Sequence, residues 1–126
     1  MLVISKSNFI HISPRKIRLV AKNLRGLPPQ IALEKLKFVG KTAVIPLIDV
    51  LRQAIGNAKN NYKLDINSLI IKEILISEGP RIKRMDKAHG ARFDRGIKQK
   101  RMSHIRITLE EKKLVEITNK QLVNNK

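Results

Sequence analysis

Cysteine and tryptophan are absent from this chain of 126 residues, aromatic residues make up 3 %, and only 10 acidic residues stand against 27 lysines and arginines. Without cysteine there is no disulfide framework, no thiolate metal site and no cysteine nucleophile. No apolar run approaches the ~20 residues of a membrane-spanning helix, and no signal peptide is visible at Met1. The scarcity of Phe, Tyr and Trp argues against a single-strand binder that stacks successive bases on aromatic platforms. The scarcity of acid leaves a net charge of +17 and a pI near 10.8. An excess of that size repels itself in a compact fold, so a polyanionic partner is the first inference. Hydrophobic residues reach 42 %, enough for a modest core and too many for a disordered basic tail. The length suits one domain, expected over residues 1–111, followed by a polar tail over 112–126.

The charge is unevenly placed. Residues 1–26 carry Lys6, Arg15, Lys16, Arg18, Lys22 and Arg25 with no acid, a net +6. Residues 79–106 carry ten basic residues against Asp86 and Asp94, a net +8. These two segments hold +14 of the +17, and the stretch between them is close to neutral. The pattern is that of a nearly neutral body with two basic surfaces. A balanced surface would keep such a body soluble without self-repulsion, which favours polyanion binding.

Apolar periodicity and turn residues outline the elements. Residues 3–12 are rich in β-branched and apolar side chains and read as a strand. Ser13-Pro14 supplies an N-cap residue and a proline at the first helical position, and Gly26 is placed to end a helix over 14–25. On that helix Ile17, Val20, Ala21 and Leu24 share one face, and Arg15, Arg18, Lys22 and Arg25 the other. A second helix is expected over 30–39, with Ala32, Leu33 and Leu36 inward and Gly40 closing it. A third, over 42–60, has Val44, Leu47, Ile48, Leu51, Ala54, Ile55 and Ala58 at i, i+3, i+4, i+7 spacing. Pro46 falls in its first turn, where a missing N–H costs no helical bond. Asn60-Asn61 and residues 65–68 read as turns. Strands are expected over 69–77, ended by Gly79-Pro80, and from Ile105 through Leu109, where apolar and polar residues alternate. The two flank a basic stretch with Gly90 near its middle, which suggests one long antiparallel hairpin. The polar tail is expected to be disordered.

Two elements are candidates for binding. The arm, 79–106, holds few large apolar residues (Ile82, Met85, Phe93, Ile97) and cannot bury a core of its own. Two-stranded ribbons are marginal in water. The arm is therefore expected to be mobile when free and ordered by a polyanion around it. At about 3.3 Å per residue, each half could reach on the order of 35 Å. The first helix, with its cationic stripe, suits phosphate contacts that position a protein without reading sequence. Shape recognition of folded RNA fits this combination best.

Catalytic arrangements are missing. His11, His89 and His104 are isolated in sequence, and no P-loop, G-x-G-x-x-G or H-E-x-x-H occurs. Asp86 and Asp94 lie among arginines and lysines, where charge balancing is the expected role. No enzyme activity, cofactor, metal site or small-molecule substrate is expected. A free DNA-binding architectural or regulatory protein is the rival reading, but residues 44–58 are too apolar for a recognition helix. A cationic membrane-surface protein is a weaker rival, since the first helix lacks a bulky apolar face.

Ile12-Ser13-Pro14-Arg15-Lys16, Arg18-Leu19-Val20-Ala21 and Leu24-Arg25-Gly26 resemble the opening helix of the large-ribosomal-subunit protein twenty-two family. The resemblance continues through Ala32-Leu33, Leu36, Phe38, Pro46-Leu47, Val50-Leu51, Ala54-Ile55, Asn57-Ala58 and Lys72-Glu73-Ile74. It ends with Glu78-Gly79-Pro80, Lys83-Arg84, Ala88 with Gly90, Lys100-Arg101 and Ser103-His104-Ile105, covering about residues 3–110 in order. The stretch between Arg84 and Ser103 is a little longer than the family pattern, with Phe93 and Gly96 unusual.

The resemblance implies an α+β fold: three helices packed on a small three-stranded antiparallel sheet with a long protruding β-hairpin. It implies a structural constituent of the large subunit that binds large-subunit rRNA, supports assembly and has neighbouring large-subunit proteins as partners. The rRNA-binding residues would be Arg15, Lys16, Arg18, Lys22 and Arg25 of the helix. From the arm they would be Arg81, Lys83, Arg84, Lys87, Arg92, Arg95, Lys98, Lys100, Arg101, His104 and Arg106. The arm's tip would line the exit tunnel and meet the nascent polypeptide through Met85, Lys87, Ala88, His89, Gly90, Ala91 and Arg92. The implied location is the ribosome of the cytoplasm or of an organelle, since the compact length is that of bacterial or organellar members.

Overall fold

The computed structural model describes residues 1–87 and 96–112. The sheet is built from β1 (Leu2–Ile10), β2 (Leu69–Met85) and β3 (Ile97–Glu111), all antiparallel, in the order β1-β3-β2. Three helices, α1 (Pro14–Ala21), α2 (Pro29–Lys37) and α3 (Val44–Tyr62), complete the α+β fold. They sit on one face of the sheet. That face presents Val3 from β1, Ile71 and Ile74 from β2, and Ile105, Ile107 and Leu109 from β3, all buried. Ile17, Leu36, Leu47, Val50, Leu51 and Ala54 meet them from the helices. Ser5, also buried on this face, donates to Gln53 Oε1 of α3 at 3.0 Å, whereas the hydroxyl of Ser103, buried on the same face of β3, has no partner among the described residues.

Local chemistry explains where the elements depart from the periodicity. β1 ends at Ile10, two residues early, because the Ile12 N–H turns back to the Ile10 carbonyl at 2.8 Å. Ser13 occupies the N-cap of α1, but its side chain makes no capping bond; its carbonyl accepts from Lys16 and Ile17 instead. The α-helix stops at Ala21 and tightens into a 3-10 turn over Lys22–Leu24. Gly26 then adopts φ +77°, the left-handed conformation that ends the segment. Its N–H donates to the Ile71 carbonyl at 2.8 Å, which joins the end of this segment to β2. α3 continues through Asn60-Asn61 and ends at Lys63, φ +51°, with the Leu64 N–H returning to the Ala58 carbonyl at 3.1 Å. The Lys63 N–H donates to the same carbonyl, so the left-handed residue closes the helix by turning two N–H groups onto Ala58. Pro46 does lie in the first turn of α3.

The largest departure is at Gly79-Pro80. β2 does not end there. The β2–β3 ladder shifts register between Glu78 and Arg81, so the proline sits in a bulge where no ladder bond asks for its N–H. The paired ribbon therefore extends past the helices, from Arg81 opposite Arg101 to Met85 opposite Ile97. Beyond it the Asp86 N–H donates to the Gly96 carbonyl at 3.2 Å. Residues 88–95 and 113–126 lie outside the described residues, and the expectations for the tip beyond Lys87 and for the tail beyond Lys112 fall there. Among the described residues no helix is long and apolar enough to cross a membrane.

Candidate nucleic-acid interface

α3 buries Val44, Leu47, Val50, Leu51, Ala54 and Ala58 in the core. It is held there by the sheet and by α2, so it cannot serve as a groove-reading helix, and cationic chemistry has to be sought elsewhere.

The first cationic region is a cleft of about 210 Å³ where the start of α1 meets the root of the arm. Arg15 and Arg18 enter from α1, Glu78 and Arg81 from β2, and Arg101 from β3. Arg81 Nη2 donates to Glu78 Oε2 at 2.7 Å. That hydrogen bond, with the charge of the same guanidinium, holds the Glu78 carboxyl below its ordinary range, and Arg18 and Arg101 push in the same direction. Four guanidinium groups thus share one carboxylate, and three positive charges remain to meet an anion. The two basic segments, far apart in sequence, meet at this cleft.

The stripe on α1 is less free than helical spacing suggests. Arg18 donates to the Ile76 carbonyl, and Arg25 Nη2 donates to the Ile74 carbonyl at 3.0 Å. β2 is an edge strand, and these carbonyls are on its open side. Two of the four cations expected to point outward therefore lie along the sheet edge while still exposing their guanidinium groups. Arg15, Lys16 and Lys22 are exposed and make no side-chain hydrogen bond or ion pair among the described residues.

The second region is the arm. Register places Arg81 opposite Arg101 and Arg84 opposite Lys98. Like charges directly opposite one another on neighbouring strands are destabilising. Among the described residues the relief from within is partial: Arg81 has Glu78, and Lys98 Nζ lies 2.6 Å from Asp86 Oδ1. Asp86 thus does the charge balancing expected of it. Lys83, Lys87 and Lys100 are exposed along the same ribbon, and Met85 at its described end is exposed as well. Arg92, Arg95 and the tip residues Ala88, His89, Gly90 and Ala91 lie outside the described residues.

A third region was not legible in the sequence: the face of the sheet turned away from the helices. Arg106 of β3 stands opposite Lys6 of β1, another like-charged pair, and opposite Leu75 of β2. His104 lies two residues away on the same face and touches Phe9 of β1. Lys6 lies ~100 residues from Arg106 in the chain, and only the strand register brings them together.

Among the described residues no group of three or more His, Asp or Glu side chains is placed to hold a metal ion. Residues 5–110 match the family model described as Ribosomal protein L22p/L17e. The chain is 41 % identical over 106 residues to the large ribosomal subunit protein uL22 of Lawsonia intracellularis, spanning 83 % of this chain and 92 % of that protein. It is 41 % identical over 107 residues to the protein of the same name from Desulfitobacterium hafniense strain Y51, spanning 85 % and 92 %. With the match running from β1 to the end of β3, the chain belongs to the L22p/L17e family of ribosomal proteins, a family of structural proteins and not of enzymes.

Proposed function

We propose that this protein is a structural constituent of the large ribosomal subunit, bound to large-subunit rRNA in the cytoplasm. The observation that carries the reading is the set of like-charged cross-strand pairs, Arg81 with Arg101, Arg84 with Lys98 and Lys6 with Arg106. A sheet with such a register is stabilised by anions from outside, and closely spaced phosphates supply them. The relatives are named as proteins of the large ribosomal subunit, which supports the RNA of that particle as the polyanion.

On this reading the cleft at Arg15, Arg18, Arg81 and Arg101 clamps a phosphate backbone between helix and arm. The arm carries Lys83, Arg84, Lys87, Arg92, Arg95, Lys98 and Lys100 along rRNA, which supports subunit assembly by tying separate RNA segments to one protein. Its tip, residues 85–95, lines the exit tunnel and faces the nascent chain, and neighbouring large-subunit proteins are further partners. The body, residues 1–111, acts as one rRNA-binding unit.

The deciding experiment is fractionation. A tagged copy expressed in the native cell is expected to sediment with the large subunit on a sucrose gradient and to be released by high salt together with rRNA cleavage. Recovery with chromosomal DNA would replace the reading with that of a DNA-binding architectural protein. Recovery with membranes would remove both.

A further inference from the structure

Three of the four aromatic residues in this chain are phenylalanines, and among the described residues Phe9 is the one with a left-handed backbone: its φ is +56°. A bulky residue in the left-handed region is strained, and the structure must hold it there. The hold is visible. A bulge in the β1–β3 register falls between Ser7 and Ile10, and it turns the Phe9 N–H towards β3. That N–H donates to His104 Nδ1 at 3.1 Å, and the two rings meet edge to face with centroids 4.9 Å apart and planes at 82°. His104 is a positioning residue here, half-buried beneath the phenylalanine.

The result is unusual for a small soluble body. Phe9 remains 58 % exposed although strain, a bulge and a tertiary hydrogen bond are all devoted to fixing its ring. Burial does not explain the arrangement. The surroundings are cationic. Arg106 is two residues from His104 on the same face of β3, a separation of about 7 Å along a strand, and Lys6 is its cross-strand partner. Between them lies a shallow hollow of about 110 Å³, floored by Leu75 and Ser77.

We propose that Phe9, set by His104, is a stacking point for one unpaired nucleobase of the bound RNA, with Lys6 and Arg106 receiving the adjoining phosphate. The inference rests on the rRNA-binding reading and adds a contact to it that is not electrostatic. An exposed aromatic side chain beside two cations that have no ion-pair partner among the described residues suits a nucleotide, which offers a π-face and a phosphate a few ångströms apart. An apolar protein surface would leave Lys6 and Arg106 desolvated and opposed to each other. One such point does not make a single-strand binder; it fixes one splayed base while the cleft and the arm follow the backbone.

The chain contains no tryptophan, so Phe9→Trp gives a single reporter at this position. Titrated with protein-free large-subunit rRNA, its fluorescence is expected to fall by at least about half at saturation, as stacked indoles are quenched, with free N-acetyltryptophanamide correcting for absorbance. Phe9→Gly removes the ring and suits the positive φ, so the fold is retained. It is expected to weaken rRNA binding about 10-fold while leaving the salt dependence unchanged, because a stacked base releases no counterion. Arg15→Ala serves as the contrast and should make the salt dependence shallower. An unquenched Phe9→Trp protein in a complex that filter binding shows to be formed overturns the stacking point and spares the rRNA reading. Quenching that appears only when ribosomal proteins are added overturns it in favour of a protein contact. Failure of the unaltered chain to bind rRNA at all brings down both.

Discussion

Arg18 donates twice to the carbonyl of Ile76, from Nη2 at 2.9 Å and from Nε at 3.3 Å, and so joins the outer side of α1 to the open edge of β2. The same side chain lines the cationic cleft. It therefore has a structural role and an electrostatic one, whereas Arg15, one residue into the helix, has only the second. Arg18→Ala is expected to cost about 1 kcal/mol, the net value of an exposed charge-assisted bond, and to lower the melting temperature by roughly 4 °C. Arg15→Ala is expected to leave the melting temperature unchanged. Both should weaken rRNA binding several-fold. Thermal denaturation followed by circular dichroism, paired with filter binding, separates the two roles; equal melting temperatures would show that the edge contact contributes nothing.

Among the described residues no layer packs on the ribbon beyond the bulge. Arg81, Lys83, Arg84 and Met85 on β2 and Ile97, Lys98, Gln99, Lys100 and Arg101 on β3 are exposed. Its rungs are held by backbone bonds and opposed by like charge. Nearer the helices, Ile71, Ile74, Ile105 and Ile107 are fully buried on the same two strands. Backbone amides of the Arg81–Met85 ribbon that face β3 are therefore expected to exchange orders of magnitude faster than those of Leu75 and Ile107 in the free protein, and to become protected when rRNA is added. Equal protection along the whole of β2 in the free protein would show that the ribbon needs no partner.

Gly79 marks the boundary between those two regimes. A Cβ placed on it would lie 3.0 Å from the Met102 carbonyl carbon and 3.1 Å from its oxygen, both backbone atoms of the paired strand. β3 would have to move for any side chain to fit. Gly79→Ala is expected to cost about 1–3 kcal/mol, as overpacking does, and to loosen the pairing of Arg81 with Arg101 that starts the arm. Chemical denaturation measures the first effect and amide exchange at Arg81 and Ile82 the second. An unchanged midpoint would show that the bulge absorbs the methyl group.

Much of this architecture can be read from the chain, and the failures have identifiable causes. The 3.6-residue spacing of Leu47, Leu51, Ala54 and Ala58 gives α3 and its buried face, and the alternation at Ile105, Ile107 and Leu109 gives the core half of β3. Gly79-Pro80 looked like an end because proline cannot enter a ladder, but a bulge lets the strand pass it. The stripe of Arg15, Arg18, Lys22 and Arg25 follows from helical geometry. That two of its members bend back to β2 depends on β2 being an edge strand, which is a fact of strand order. Phe9 left no local trace at all. Left-handed backbone favours glycine and asparagine, and the neighbouring Asn8 would have been the natural choice. The hydrogen bond that holds Phe9 comes from a residue 95 positions away.

The cleft carboxylate gives the remaining prediction. Glu78 is held below its ordinary value of 4.5 by Arg81, with Arg18 and Arg101 assisting. A carboxyl lowered in the folded state stabilises the fold fully above its unfolded value, and that contribution is lost as pH falls through the folded value. The unaltered protein and a Glu78→Gln variant should therefore differ in melting temperature by a constant amount near neutrality and converge as pH drops below about 4.5. Binding should move the other way. Removing the one acid from among four arginines frees Arg81 for phosphate, so Glu78→Gln is expected to bind rRNA more tightly at low salt. Affinity should also fall more steeply with salt, the slope steepening by about 0.7–0.9 in log–log form for one added phosphate contact. If six to ten phosphates are neutralised overall, the unaltered protein loses about 10³–10⁵ in affinity between roughly 50 and 200 mM salt, which sets the baseline for that comparison. An unchanged slope in the variant would mean that Arg81 remains with its own strand and that the cleft takes its phosphate through Arg15, Arg18 and Arg101 alone.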